Sequence, residues 1–161
     1  MSNENTNTIT RLRLLAARSE PYLYAVLRIV AGALFAFHGA QKVLGVLSQF
    51  TPQIGSQLWV GGVIELVGGA LIALGVLTRP VAFLASGQMA VAYTQFHWKL
   101  ALGGGMWLPA INKGELAVIY CFLFLFFAAR GNGVLALGAS RASTAHPTQA
   151  GALKPASSEA R

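Results

Sequence analysis

Polar and ionisable side chains interrupt stretches of this chain that are otherwise apolar: Arg28, His38, Lys42, Glu65, Gln88, Gln95, His97 and Glu115. In hydrocarbon an ionisable group costs at least ~2.5–3.5 kcal/mol on insertion scales, so each needs a partner or a use. A histidine and a carboxylate at an apolar–polar border can exchange protons with a bound molecule, and an ammonium beside them can polarise its carbonyl. His38, Lys42 and Glu65 are therefore the candidate catalytic residues. Arg28, Gln88, His97 and Glu115 are candidates for holding a ligand. No ligand spacing for a metal centre is present. The single cysteine, Cys121, excludes an internal disulfide and a C-x-x-C redox pair.

Spacing says which of these groups can meet. Arg28, Gly32, Phe35, Gly39 and Lys42 recur at helical intervals along one face, with His38 beside them. Gly61, Glu65, Gly68 and Gly75 share another face, with Gly62 and Gly69 next to it. Small residues at this spacing let helix backbones approach closely. Counting about 1.5 Å per residue through a core of about 30 Å, His38 and Glu65 come out level. Arg28 lies much nearer the opposite surface, where its long side chain can snorkel to water. The expected direct pair is thus His38–Glu65, with Lys42 one turn away. His97 lies at the level of His38, a placement open to haem ligands or to two interfacial side chains. Gln88 and Gln95, seven apart, share a face suited to interhelical hydrogen bonds or to lining a polar ligand site. Asn112-Lys113-Gly114-Glu115 has capping-box spacing, which accounts for Glu115 as a helix-start residue or leaves it at the mouth of the bundle.

The elements that must position these groups are long apolar segments at about 22–46, 58–77, 80–97 and 113–129. Each is near the roughly 20 residues needed to cross hydrocarbon. The predicted fold is all-α: a polytopic membrane protein whose four transmembrane helices form an antiparallel bundle. Residues 1–21 form a cytoplasmic N-terminal tail or surface helix, with Ser19 capping the first span and Pro21 in its first turn. Residues 22–130 are the transmembrane domain, and residues 131–161 a disordered cytoplasmic tail. Trp59, Trp98 and Trp107 fall at the outer ends, where an aromatic belt belongs.

Composition agrees. Of 161 residues, 55% are hydrophobic and only 11% charged, against roughly 25% charged in soluble domains, and mean hydropathy is +0.57. The formal charge of +7 is concentrated in tails and turns. No helix carries a basic stripe with interleaved stacking aromatics, so nucleic acid is not the expected partner. The Lys/Arg excess places both termini on the cytoplasmic side of the membrane.

Several stretches together resemble one known family. They are Leu27-Arg28-Ile29-Val30-Ala31-Gly32, Phe37-His38-Gly39-Ala40-Gln41-Lys42, Gly62-Val63-Ile64-Glu65-Leu66-Val67-Gly68-Gly69, Gly75-Val76-Leu77-Thr78-Arg79-Pro80 and Asn112-Lys113-Gly114-Glu115. With them the chain resembles, over about residues 22–138, the DoxX family of small four-helix bacterial membrane proteins. Its members usually end in Gly-x-Gly followed by a Ser-x-Asp-like element. Gly131-Asn132-Gly133 is present here, but Val134 to Gly138 lacks the acid, so a role resting on that acid does not carry over. The resemblance implies a membrane-bound, redox-associated protein, because the family is named for a subunit linked to quinol oxidation.

Three functions follow as expectations. The first is a quinone-linked oxidoreductase subunit, in which His38 and Glu65 handle the quinone protons and Lys42 polarises a carbonyl. That reading requires a protein partner, a redox enzyme or a second membrane subunit, to supply electrons. The second is a non-catalytic anchor or assembly subunit, its buried polar pairs specifying packing. The third, less favoured without an evident inverted repeat, is a small-molecule or proton carrier.

Overall fold

The computed structural model describes residues 2–138, with side chains from residue 7 onward. The described chain is all-helical. Helix α1 spans Ser2–Val43. A second rod is built from α2 (Gln57–Val63), a π-helical turn (Ile64–Gly68) and α3 (Gly69–Leu74). A third is α4 (Thr78–Ala92), continued by a π-helical stretch at Tyr93–Trp98. After a loop and the short α5 (Pro109–Asn112), α6 (Glu115–Arg130) forms the fourth. Successive rods run antiparallel. Arg28 near the start of the first span meets Ile72 at the end of the second rod, while Lys42 meets Glu65 nearer that rod's start.

The first helix differs from expectation. It does not begin at residue 22; it runs unbroken through Pro21. Ser19 is not a cap, because its hydroxyl donates back to the Ala16 carbonyl at 3.0 Å, a bond that requires the preceding turn to be helical already. Its 42 residues extend about 63 Å, twice a hydrocarbon thickness. The first half therefore projects beyond the bundle. The expected spans 58–77, 80–97 and 113–129 become helical rods over 57–74, 78–98 and 115–130. Thr78 is the first residue of α4, preceded by Leu77 in the left-handed region at φ 50°.

The rods associate mainly as two pairs, α1 with the second rod and α4 with α6. Glycine sets the first pair. A Cβ placed on Gly39 would lie 2.1 Å from Leu66 N, and one on Gly69 would lie 2.4 Å from Ala36 N. The backbones are thus in contact along Gly32–Ala36–Gly39 against Gly62–Leu66–Gly69, a close approach only small residues permit. An aromatic column ties α6 to α1. Phe35 meets Phe124 at 4.6 Å between ring centroids, Tyr120 stacks on Phe124 at 5.1 Å, and Tyr24 meets Phe127 edge-on at 5.6 Å.

The outside of the bundle is apolar. Leu23, Val26, Val30, Leu34, Phe83, Leu84, Ile119, Phe122 and Phe126 are all exposed, a larger apolar surface than water-soluble monomers carry. The segments Asn7–Val43 and Gln57–Leu74 are long and apolar enough to cross a membrane.

Residues 131–138 are not a free tail, as the sequence reading had them. Leu137 N donates to Leu74 O at 2.9 Å and Gly138 N to Gly75 O at 3.2 Å. The segment closes over the C-terminal end of α3, where helix carbonyls lack intrahelical partners. The remainder of the expected tail, 139–161, lies outside the described residues.

Candidate functional site

Glu65 is the best-buried carboxylate of the described chain, only 3% exposed. It stands in the π-helical turn Ile64–Gly68. A π turn rotates the following residues out of α-helical register, and such turns recur at functional sites. Its Oε1 accepts two bonds, from Lys42 Nζ at 2.6 Å and from Gln88 Nε2 at 3.1 Å. Gln88 Nε2 also donates to Gly61 O at 3.0 Å. The carboxylate is thus held by the first, second and third rods at once. Its other oxygen, Oε2, is buried without a hydrogen-bond partner, as is Oε1 of Gln88. Native proteins leave few such groups, because an unmade buried bond costs about 1–3 kcal/mol.

Two cavities flank this cluster. One, about 300 Å³, is lined by Lys42, Glu65, Gln88 and His97 on its polar side and by Leu58, Val91 and Phe96 on its apolar side. The other, about 230 Å³, is bounded by His38, Lys42, Glu65, His97 and Lys113 together with Met89 and Tyr120. Lys42, Glu65 and His97 are common to both. Ligand pockets run from about 300 Å³ upward and combine apolar walls with a few convergent polar groups. This pair of spaces is sized for a ring or a short polar head.

The predicted His38–Glu65 pair does not form. His38 is level with Glu65 and borders the second cavity, as the depth count requires, but its side chain is exposed. Gly39 is the residue pressed against the second rod, and Lys42, three residues on, shares that face. His38 is turned one position round the helix, toward the opening. The carboxylate therefore takes the lysine.

Arg28 is not a cavity residue and does not snorkel. It is fully buried, and its guanidinium donates to Ile72 O at 3.1 Å and to Leu135 O at 2.8 Å. It serves as a clamp between the end of α3 and the closing segment. Glu115 is exposed and borders neither cavity. Its capping box is absent: Lys113 is in the left-handed region at φ 60°, and the helix starts at Glu115 with Gly114 as its cap. Gln95 bonds Gln57 across the mouth, the interhelical role expected of it.

Asn112 escaped the sequence reading except as a cap. Its Oδ1 accepts from Gly114 N at 2.8 Å, its Nδ2 donates to Met106 O at 2.9 Å, and its carbonyl lies 3.3 Å from His97 Nδ1. It fixes the outer loop and the histidine together, ahead of a left-handed Lys113 that nothing in the sequence announces. Tyr120 and Lys113 also line the second cavity unforeseen. Among the described residues no group of three or more His, Cys, Asp and Glu side chains is arranged to hold a metal ion.

Known proteins give the lineage. The DoxX family model matches residues 23–98, which include Arg28, His38, Lys42, Glu65, Gln88 and His97. The chain is 43% identical over 121 residues to an uncharacterized protein of Haemophilus influenzae, with 73% of this chain and 89% of that protein aligned. No solved structure matches it significantly. The match to the family model, the relative aligned over most of its length and the apolar helices agree: this chain is a helical membrane protein and belongs to the DoxX family.

Proposed function

We propose that the chain is the quinone-binding subunit of an oxidoreductase system in a bacterial plasma membrane. All four rods would cross the bilayer, with both termini cytoplasmic. The observation that carries the reading is Glu65. It is a buried carboxylate with one oxygen anchored by Lys42 and Gln88 and the other unpartnered, between two cavities it shares with His97.

The residues fit a quinone head. Glu65 Oε2 accepts a hydroxyl proton, the Lys42 ammonium donates to a carbonyl oxygen, and Val91, Phe96 and Leu58 cover a flat ring. A bound quinone supplies two-electron chemistry that takes up two protons on reduction. Lys42, about one-third exposed at its side chain, connects the buried carboxylate to the surface. His38 and His97 stand at the second cavity as proton-exchanging groups. Electrons come from a partner redox protein.

Binding of a short-chain quinone analogue to the full chain in detergent micelles tests this, with thermal unfolding measured in parallel. Glu65→Gln is expected to weaken binding about tenfold, the scale of one charge-assisted hydrogen bond, while the unfolding temperature changes little; Lys42→Gln, which leaves the buried carboxylate without its cation, is expected to lower both. A wild-type chain that takes up no quinone analogue, with variants that lower only thermal stability, points to the second reading. That reading is an anchor subunit whose Lys42–Glu65 pair sets helix register. It is favoured by one observation: the pair sits where Gly39 and Gly62 bring the two backbones together.

A further inference from the structure

At the other end of the bundle lies a larger cavity, about 600 Å³, lined by Thr78, Arg79, Pro80, Arg130 and Asn132 among others. Here the 15-residue helix α4 begins. Its N-cap, Leu77, provides no side-chain acceptor. The N–H groups of Thr78 and Arg79 have no carbonyl one turn back to bond, and Pro80 has no N–H. Thr78 is fully buried, yet its hydroxyl has no hydrogen-bond partner.

The charge at this end is positive. Arg79 is exposed and makes only a 3.5 Å contact to the Arg130 carbonyl. Arg130 packs its guanidinium 4.4 Å from the Tyr24 ring centre and pairs with Glu20. Arg28 lies behind the cavity wall with carbonyl partners, and among the described residues no carboxylate pairs with it. One acid thus faces three guanidinium groups, beside a helix N-terminus that itself favours anions.

We propose that this cavity binds a phosphate group, held by the first N–H groups of α4, the Thr78 hydroxyl and the guanidinium groups of Arg79 and Arg130. The site is separate from the Glu65 cavities and does not depend on what they bind. The ends of apolar rods lie at the level of lipid headgroups, so the phosphate belongs either to an anionic phospholipid or to a free anion from solution. The recognition chemistry is the same: an oxyanion takes up backbone N–H, hydroxyl and guanidinium donors together.

The test uses the full chain in two settings. Native mass spectrometry after extraction from mixed phosphatidylglycerol and phosphatidylcholine bilayers reads retained lipid. Thermal unfolding in neutral micelles with inorganic phosphate, at constant ionic strength, reads the free anion. Selective retention of phosphatidylglycerol assigns a headgroup, and stabilisation by inorganic phosphate alone assigns a free anion. Either supports the site, provided Arg79→Gln and Thr78→Val each reduce the effect about tenfold. Thr78→Val removes an unpartnered hydroxyl at nearly constant volume, so the unliganded variant should unfold no lower than wild type. That keeps loss of binding distinct from loss of fold. No preference for phosphatidylglycerol and no response to phosphate overturns the proposal. Binding that survives both substitutions overturns it equally.

Discussion

Arg28 and Glu65 are both buried charged side chains, and they are satisfied in different ways. The Arg28 Nη groups donate to the Ile72 carbonyl at the end of α3 and to the Leu135 carbonyl of the closing segment, while its Nε is buried without a partner. Glu65 keeps one oxygen unpartnered beside a cavity. Replacing Arg28 by Met is therefore expected to strand the Leu135 carbonyl and to leave Ile72 O with the Gly75 N–H alone. At about 1–3 kcal/mol for each buried unmade bond, this should lower the unfolding temperature markedly without altering ligand binding at the Glu65 cavities. Differential scanning fluorimetry together with quinone-analogue titration separates the two effects; equal loss of both would mean that the clamp and the site are one unit. Asn112→Ala is expected to do the reverse. It removes the side-chain bonds to Met106 O and from Gly114 N, loosening the outer loop and with it the Asn112 main-chain carbonyl that meets His97, and should weaken ligand binding more than it lowers stability.

Among the elements, the glycines divide sharply by what surrounds them. Gly39 and Gly69 lie against backbone atoms of the facing helix, whereas Gly87, in α4, has nothing within 4 Å of where a Cβ would stand. Gly39→Ala should force the first two rods apart and carry Lys42 away from Glu65. Loss of the folded fraction in size-exclusion chromatography is the expected reading. Gly87→Ala should stabilise by roughly 0.5–1 kcal/mol, the ordinary gain for a helix interior. If both substitutions behaved alike, the close approach of the rods would not be what holds the pair. The two π-helical stretches matter at this scale as well. One contains Glu65 and the other His97, so two of the polar residues lining the first cavity come from locally rewound helix.

For the molecule as a whole, the closing segment decides more than its length suggests. Tyr24 bonds the Gly131 carbonyl, Arg28 the Leu135 carbonyl, and Leu137 and Gly138 bond the end of α3. A chain ending at Arg130 loses all of these, and one ending at Gly138 keeps them. The shorter chain is expected to unfold at clearly lower temperature in the same detergent; equal stability would reduce the segment to a passive cover. The lower end of the bundle, with its arginines, and the upper end, with Lys42, Glu65 and His97, are thereby built from different parts of the chain.

The sequence by itself determined that the chain is helical, that it belongs in a membrane, that His38, Glu65 and His97 fall at one level with Lys42 a turn away, and that glycine faces bring the first two rods together. These follow from composition, period and rise per residue, which are local properties. Only the tertiary structure decided that Lys42 and not His38 takes the carboxylate. A rotation of one position about the helix axis separates the two, and the backbone contact at Gly39 sets that rotation. It also decided that Arg28 clamps carbonyls, that Asn112 holds a loop and not a cap, and that residues 131–138 close the bundle. Each of those depends on partners about forty or more positions away or on a left-handed turn, and neither leaves a periodic trace in the sequence.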